Sequence, residues 1–313
     1  MKPLTLTVRT MTEPSLKHVY CPDETGGHRM AYWQWGRPDS DHLVLCVHGL
    51  TRQGRDFDVL AQALCERSGG NIRVICPDVV GRGESDWLKD PMGYQVPAYA
   101  ADMLALLAQL HGVAPISTLD WLGTSMGGLI GMVICGQPDL PLPVPVRRLV
   151  LNDVGPALEW QAIVRIGAYL GQTGHFDTEQ EAADAMWAIS KSFGPHTPGQ
   201  WLALSRPMLR PVSGTSNSAL RLHYDPAIAV PFRLATEEAA HQGEAKLWQL
   251  YDNIRSETLL VRGALSDLLS PETARAMTAR GPHARLVEFA GVGHAPTFIA
   301  EDQVAAVSAF LLG

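Results

Sequence analysis

The chain has 313 residues, 46% of them hydrophobic, and carries a net charge of −7. That composition is ordinary for a globular protein with enough apolar material for a large core. The lack of a basic cluster beyond the pair Arg147-Arg148 argues against nucleic-acid binding. No apolar run reaches the roughly eighteen residues that a membrane-spanning helix needs, so none is expected. The alternation over 4–8 is broken by Arg9, Thr10 and Glu13 before a secretory apolar region could form. The cysteines, Cys21, Cys46, Cys65, Cys76 and Cys135, are odd in number, and Cys46 and Cys76 fall inside apparent strands. Buried free thiols in a reducing cytoplasm fit this better than a disulfide framework. No Cys-x-x-Cys or His-x-x-x-His pair points to a metal, and no cofactor is expected.

In chain order, residues 4–8 and 30–35 alternate as antiparallel edge strands do. Leu43–Val47 is continuously apolar, as a strand buried on both faces should be. It runs into His48-Gly49-Leu50-Thr51. Phe57, Leu60, Ala61 and Leu64 then recur at helical spacing, and 72–76 reads as a strand before the turn Gly81-Arg82-Gly83-Glu84-Ser85. A helix is predicted over 97–111, a strand over 117–122, a helix over 126–136 and a strand over 147–151. Alternating buried strands and amphipathic helices imply parallel βαβ units, whose chemistry gathers at the carboxyl ends of the strands.

The alternation stops after the sixth strand. Residues 155–245 hold helical patterns over 158–170, 179–191 and 200–209, with no convincing strand, and are expected to form a helical cap. Trp160, Trp187, Trp201, Met186 and Met208 either face an acyl pocket or pack this cap on the main domain. Strand–helix order resumes near Glu257: strands over 258–263 and 285–289, helices over 271–280 and 301–312. Residues 1–154 and 246–313 thus make one core domain.

Gly123-Thr124-Ser125-Met126-Gly127 is a Gly-x-Ser-x-Gly sequence between a predicted strand and a predicted helix. Alone the pattern is weak. Placed there, it holds a serine hydroxyl at the apex of a sharp turn, beside the first amide of a helix, that of Met126. Such a hydroxyl needs a base, and the base needs a carboxylate. His294, in Gly291-Val292-Gly293-His294 after the last strand, is the expected base. Asp267, in the short loop Gly263-Ala264-Leu265-Ser266-Asp267, is the expected acid by position and by chain order. Asp153, which also ends a strand, is the runner-up. Asp78 is expected to hold backbone amides of the adjacent glycine turn. The backbone amides of Leu50 and Met126 are the candidate oxyanion donors.

With His48-Gly49, Gly81–Ser85, Gly123–Gly128, Ser266-Asp267 and Gly293-His294 in place, the chain resembles the α/β-hydrolase fold superfamily, in a serine-nucleophile, carboxylesterase-like form with a helical cap. The resemblance covers nearly all of the chain outside 155–245. It implies a mostly parallel twisted sheet flanked by helices, and hydrolysis of carboxylic esters of small or medium-sized substrates through an acyl-enzyme. Epoxide hydrolases and haloalkane dehalogenases carry aspartate where this chain has Ser125, and the His-Gly-Gly-Gly loop of the hormone-sensitive-lipase type is absent. A lactonase, a carbon–carbon bond hydrolase, an acyltransferase or a perhydrolase would use the same residues. A non-catalytic small-ligand receptor would not need the whole triad.

Overall fold

In the computed structural model, residues 13–212 and 219–313 are described; the predicted strand over 4–8 lies outside them. The sheet strands are β1 (Ser15–Cys21), β2 (His28–Gly36), β3 (His42–Val47), β4 (Arg73–Pro77), β5 (Thr118–Thr124), β6 (Val146–Asn152), and, numbered after two short strands β7 and β8 described below, β9 (Glu257–Gly263) and β10 (Arg285–Phe289). They form one eight-stranded sheet in the order β1-β2-β4-β3-β5-β6-β9-β10. β1 and β2 run antiparallel; from β4 to β10 every pairing is parallel.

The continuous apolar runs follow from burial on both faces. Leu43, Leu45 and Val47 of β3 belong to one core cluster, and Val44 and Cys46 to another on the opposite face. The first face is covered by α2 (Val96–Val113) and α3 (Met126–Gly136), through residues such as Met103, Leu107 and Ile130. The second is covered by α1 (Asp58–Arg67) and α10 (Glu301–Leu312), the last element, through Leu60, Leu64, Val307 and Leu311. Asp120 is the charged exception inside β5. It is fully buried, and Arg147 and His42 engage its carboxylate at 2.6 and 2.7 Å.

Between β6 and β9 the chain leaves the sheet. It forms α4 (Trp160–Tyr169), α5 (Glu179–Ser190), α6 (Pro198–Ser205), the strands β7 (Leu209–Pro211) and β8 (Leu220–Leu222), α7 (Ala229–Arg233) and α8 (Glu237–Asn253). β7 and β8 pair as a two-stranded antiparallel ribbon where no strand was expected. Three residues per strand are too few for a periodic signal. α8 runs unbroken across residue 245 and packs on α3. Its first half is polar on every side, which hides it from a search for an apolar stripe. α9 (Pro271–Ala279) then joins β9 to β10. β1 was also unforeseen: five of its seven residues are not buried, so its alternation is shallow. Among the described residues no helix is long and apolar enough to cross a membrane.

Candidate active site

The geometry begins at the turn between β5 and α3. Ser125 has φ 53° and ψ −114°, a backbone conformation unfavourable for a residue with a Cβ. The turn is tolerated because the chain around it is stripped of side chains. A Cβ on Gly127 would collide with the carbonyl of Val47, and one on Gly123 with the backbone of Gly127. Close packing of the turn on β3 therefore demands glycine at 127, and closure of the turn on itself demands it at 123. Met126 is the first residue of α3, so its amide is among those with no acceptor inside the helix.

His294 follows β10 and reaches over the sheet edge. Its Nε2 lies 3.0 Å from Ser125 Oγ and its Nδ1 2.8 Å from Asp153 Oδ2. Asp153 is fully buried just past β6, with φ 55°. Two further donors complete its carboxylate: the Gly263 amide to Oδ1 at 2.8 Å and the Ser266 hydroxyl to Oδ2 at 2.6 Å. Held this way, the imidazole is fixed in tautomer and aim, and can draw a proton from the hydroxyl.

Asp267 is not in this chain of contacts, and the expectation that it would be the acid is corrected. Its carboxylate points away from His294 and closes a bidentate pair with Arg165 of α4, at 2.7 and 2.9 Å. The reason is local. Ser266 turns inward to bond Asp153, so the next residue in the loop faces outward. Asp267 is 46% exposed, whereas Asp153 is inaccessible to solvent.

The His48–Thr51 loop carries Leu50 beside the serine; a Cβ on Gly49 would sit 3.7 Å from Ser125 Cβ. Two buried side chains hold this loop. His48 contacts the Gly49 carbonyl through Nδ1 and accepts the Val79 amide at Nε2, 2.9 Å away. Burial pushes its pKa down to about 3, so the ring is neutral. Arg82, wholly inaccessible, donates from Nε to the Leu50 carbonyl at 2.8 Å, from one terminal nitrogen to Tyr99 Oη, and from the other to Met126 Sδ. It ties together the two residues whose amides were expected to face an oxyanion. In the sequence, Gly81-Arg82-Gly83 reads as a glycine-rich turn and part of the family resemblance, with no role for Arg82 itself; the glycines flanking a cation were the available sign. Asp78 accepts the amides of Gly54 and Glu84 and the indole of Trp33, and burial raises its pKa to about 7.

Ser125 stands where two cavities meet. One, about 270 Å³, is lined by Arg165, Tyr169, Met186, Met208, Leu222 and His294 among others. The second, about 540 Å³, is lined by apolar residues including Met126, Leu129, Val154, Ile163 and Phe232. Leu50, Ser125 and Ile166 border both. Met186 and Met208 thus border a cavity and also pack with Trp201 in one buried cluster, with Trp187 against it, and Trp160 is half-buried at the start of α4. The segment between β6 and β9 also touches the histidine loop: Ser192 donates to the His294 carbonyl and accepts the Gly293 amide, at 2.9 and 2.6 Å.

One group of potential metal ligands exists among the described residues, Cys21, His28 and Asp102. Both ring nitrogens of His28 are already engaged, by Asp23 at 3.0 Å and Asp102 at 3.1 Å, so the group is self-satisfied as an ion-pair cluster.

The sequence pattern of the Alpha/beta hydrolase family matches residues 44–309. A 3-hydroxybutyrate-oligomer hydrolase from Cupriavidus necator is 51% identical over 300 residues, spanning 96% of this chain and 98% of that protein. The crystal structure of an alpha/beta hydrolase from Novosphingobium aromaticivorans superposes with a TM-score of 0.79 at 34% identity, covering 97% of this chain and 99% of that one. An esterase from Exiguobacterium antarcticum shares the fold at 18% identity, with a TM-score of 0.66 over 95% of this chain and all of its own. The chain therefore belongs to the alpha/beta hydrolase family, as a hydrolase acting on ester bonds.

Proposed function

We propose that the protein is a serine esterase that cleaves short linear oligomers of 3-hydroxybutyrate through an acyl-enzyme intermediate. The observation that carries the serine mechanism is the contact of one imidazole with both Ser125 Oγ and the buried Asp153, where two cavities meet. The name of the Cupriavidus necator relative supports the substrate class. In this reading residues 155–245 are the cap over the site, and each cavity takes one side of the scissile ester.

Ser125 Oγ attacks the ester carbonyl as His294 Nε2 takes its proton. Asp153 stabilises the resulting imidazolium and keeps Nδ1 protonated. The amides of Leu50 and Met126 donate to the tetrahedral oxyanion; losing one such donor typically costs on the order of 100-fold or more in turnover. His294 returns the proton to the departing alkoxide, which leaves as an alcohol, and the acyl group stays on Ser125. The same imidazole then deprotonates a water, which releases the acid and restores the serine. Buried or partly buried free thiols at all five cysteines support a reducing, cytoplasmic location.

The test is product analysis of linear 3-hydroxybutyrate dimer and trimer with wild type and Ser125→Ala, run beside p-nitrophenyl butyrate. Release of 3-hydroxybutyrate by wild type alone is the expected result. Turnover that survives Ser125→Ala would overturn the mechanism. Cleavage of the p-nitrophenyl ester with intact oligomers would overturn the substrate and leave the mechanism standing.

A further inference from the structure

The ribbon of β7 and β8 has two unlike faces. Its register pairs Leu209 with Leu222, Arg210 with Arg221 and Pro211 with Leu220. Side chains alternate along a strand, so Leu209 and Leu222 share one face and the two arginines share the other. Leu222 lines the smaller cavity beside Ser125. The arginine face looks away from it, toward Trp87. Both guanidiniums lie over that one indole, 4.5 and 5.8 Å from its ring centre for Arg210 and Arg221.

Like charges directly opposite on an antiparallel pair repel one another. A carboxylate between them would normally answer that repulsion, yet among the described residues neither guanidinium forms a salt bridge or a hydrogen bond. Arg221 Nε is buried with no acceptor at all. The acids nearest Arg210 are otherwise placed. Asp225 accepts from Tyr94 Oη at 2.5 Å and from the Ala227 amide, and Glu84 lies 3.8 Å from His223. His223, next along β8, has its pKa pushed down to about 4, by burial first and then by Arg210 and Arg221. The ribbon is fixed to the core rather than free to splay. The Gly83 amide donates to the His223 carbonyl, and Arg82 bridges to Tyr224.

Two guanidinium forks, carried by directly opposed residues on one ribbon face, each close to the same indole and lacking acceptors, suit the oxygens of a single oxyanion. We propose that the outer face of the β7–β8 ribbon binds a small oxyanion, a carboxylate or a phosphate, between Arg210 and Arg221 and against Trp87. The site is separate from the cavities that meet at Ser125, and it stands whether or not the esterase reading does. Phosphate and the carboxylate of a released hydroxy acid share the chemistry; the titration tells them apart.

The experiment is isothermal titration of the full chain at constant ionic strength, in a buffer free of both anions. Inorganic phosphate is the titrant in one arm, 3-hydroxybutyrate in the other, and chloride is the control. Saturable binding in at least one arm is expected, weakened roughly tenfold or more in Arg210→Gln and again in Arg221→Gln, as for the loss of a charge-assisted hydrogen bond. Ester hydrolysis retained by each variant shows that it is folded. The arm that saturates names the anion. No saturation in either arm at millimolar concentration overturns the site. So does binding that both variants keep, which would place the anion elsewhere, including the cavity at Ser125.

Discussion

Two loops at the carboxyl edge of the sheet each present an aspartate, and they put it to opposite uses. After β6, Asp153 is closed off from solvent and receives a backbone amide, a hydroxyl and an imidazole. After β9, Asp267 is about half exposed and grips a single arginine of α4. The first carboxylate has its lone pairs filled by three donors, two from the end of β9 and one from the loop after β10, an arrangement that fixes an imidazole. The second makes a surface ion pair, which water and salt screen. A carboxylate's position along the chain is thus less telling than the number of donors that converge on it.

The contrast breaks most sharply at Asp153→Asn. An amide there offers a donor where His294 Nδ1 must give its proton, and favours the wrong tautomer. We expect kcat to fall by about 10⁴-fold with the fold intact, as for a triad aspartate elsewhere; a loss under tenfold would remove Asp153 from the mechanism. Ser266→Ala sharpens the comparison by taking away one donor to that carboxylate. One lost hydrogen bond to a charged group is about 1.5 kcal/mol, or roughly tenfold in kcat/KM. An unchanged rate would mean that the other two donors suffice. Asp267→Asn has the smallest effect. The exposed pair contributes under about 1 kcal/mol to stability, so kcat should stay within about threefold of wild type. Any drop in Tm should vanish in high salt. A rate loss comparable with that of Asp153→Asn would reverse the assignment.

Much of this site can be read from residue types because backbone geometry imposes them. Gly123 and Gly127 are needed where Ser125 turns against β3, and His294 is offered by a glycine-rich loop at a strand end. The choice between aspartates cannot be read that way. Both lie just past strands of one parallel sheet, and it is the left-handed backbone at Asp153 and the inward turn of Ser266 that decide which carboxylate meets the ring. Arg82 was hidden for a related reason: a cation between two glycines looks like a solvated turn until the carbonyls of Leu50 and Val80, Tyr99 Oη and Met126 Sδ are seen to surround it. The parallel sheet was legible from its doubly buried strands. β1, α8 and the β7–β8 ribbon were not, since their residues lack the deep, regular apolar pattern on which such reading depends.

The two hydrogen bonds of Ser192 have a mechanical consequence. They join the segment between β6 and β9 to the backbone on either side of the His294 ring. That segment therefore cannot lift over Ser192 and leave the imidazole loop undisturbed. Either both bonds break, or the loop travels with it and the 3.0 Å contact to Ser125 opens. On the proposed mechanism, admission of a substrate past this segment and readiness of His294 as the base would be one coordinate, so an enzyme held open would also be an enzyme switched off.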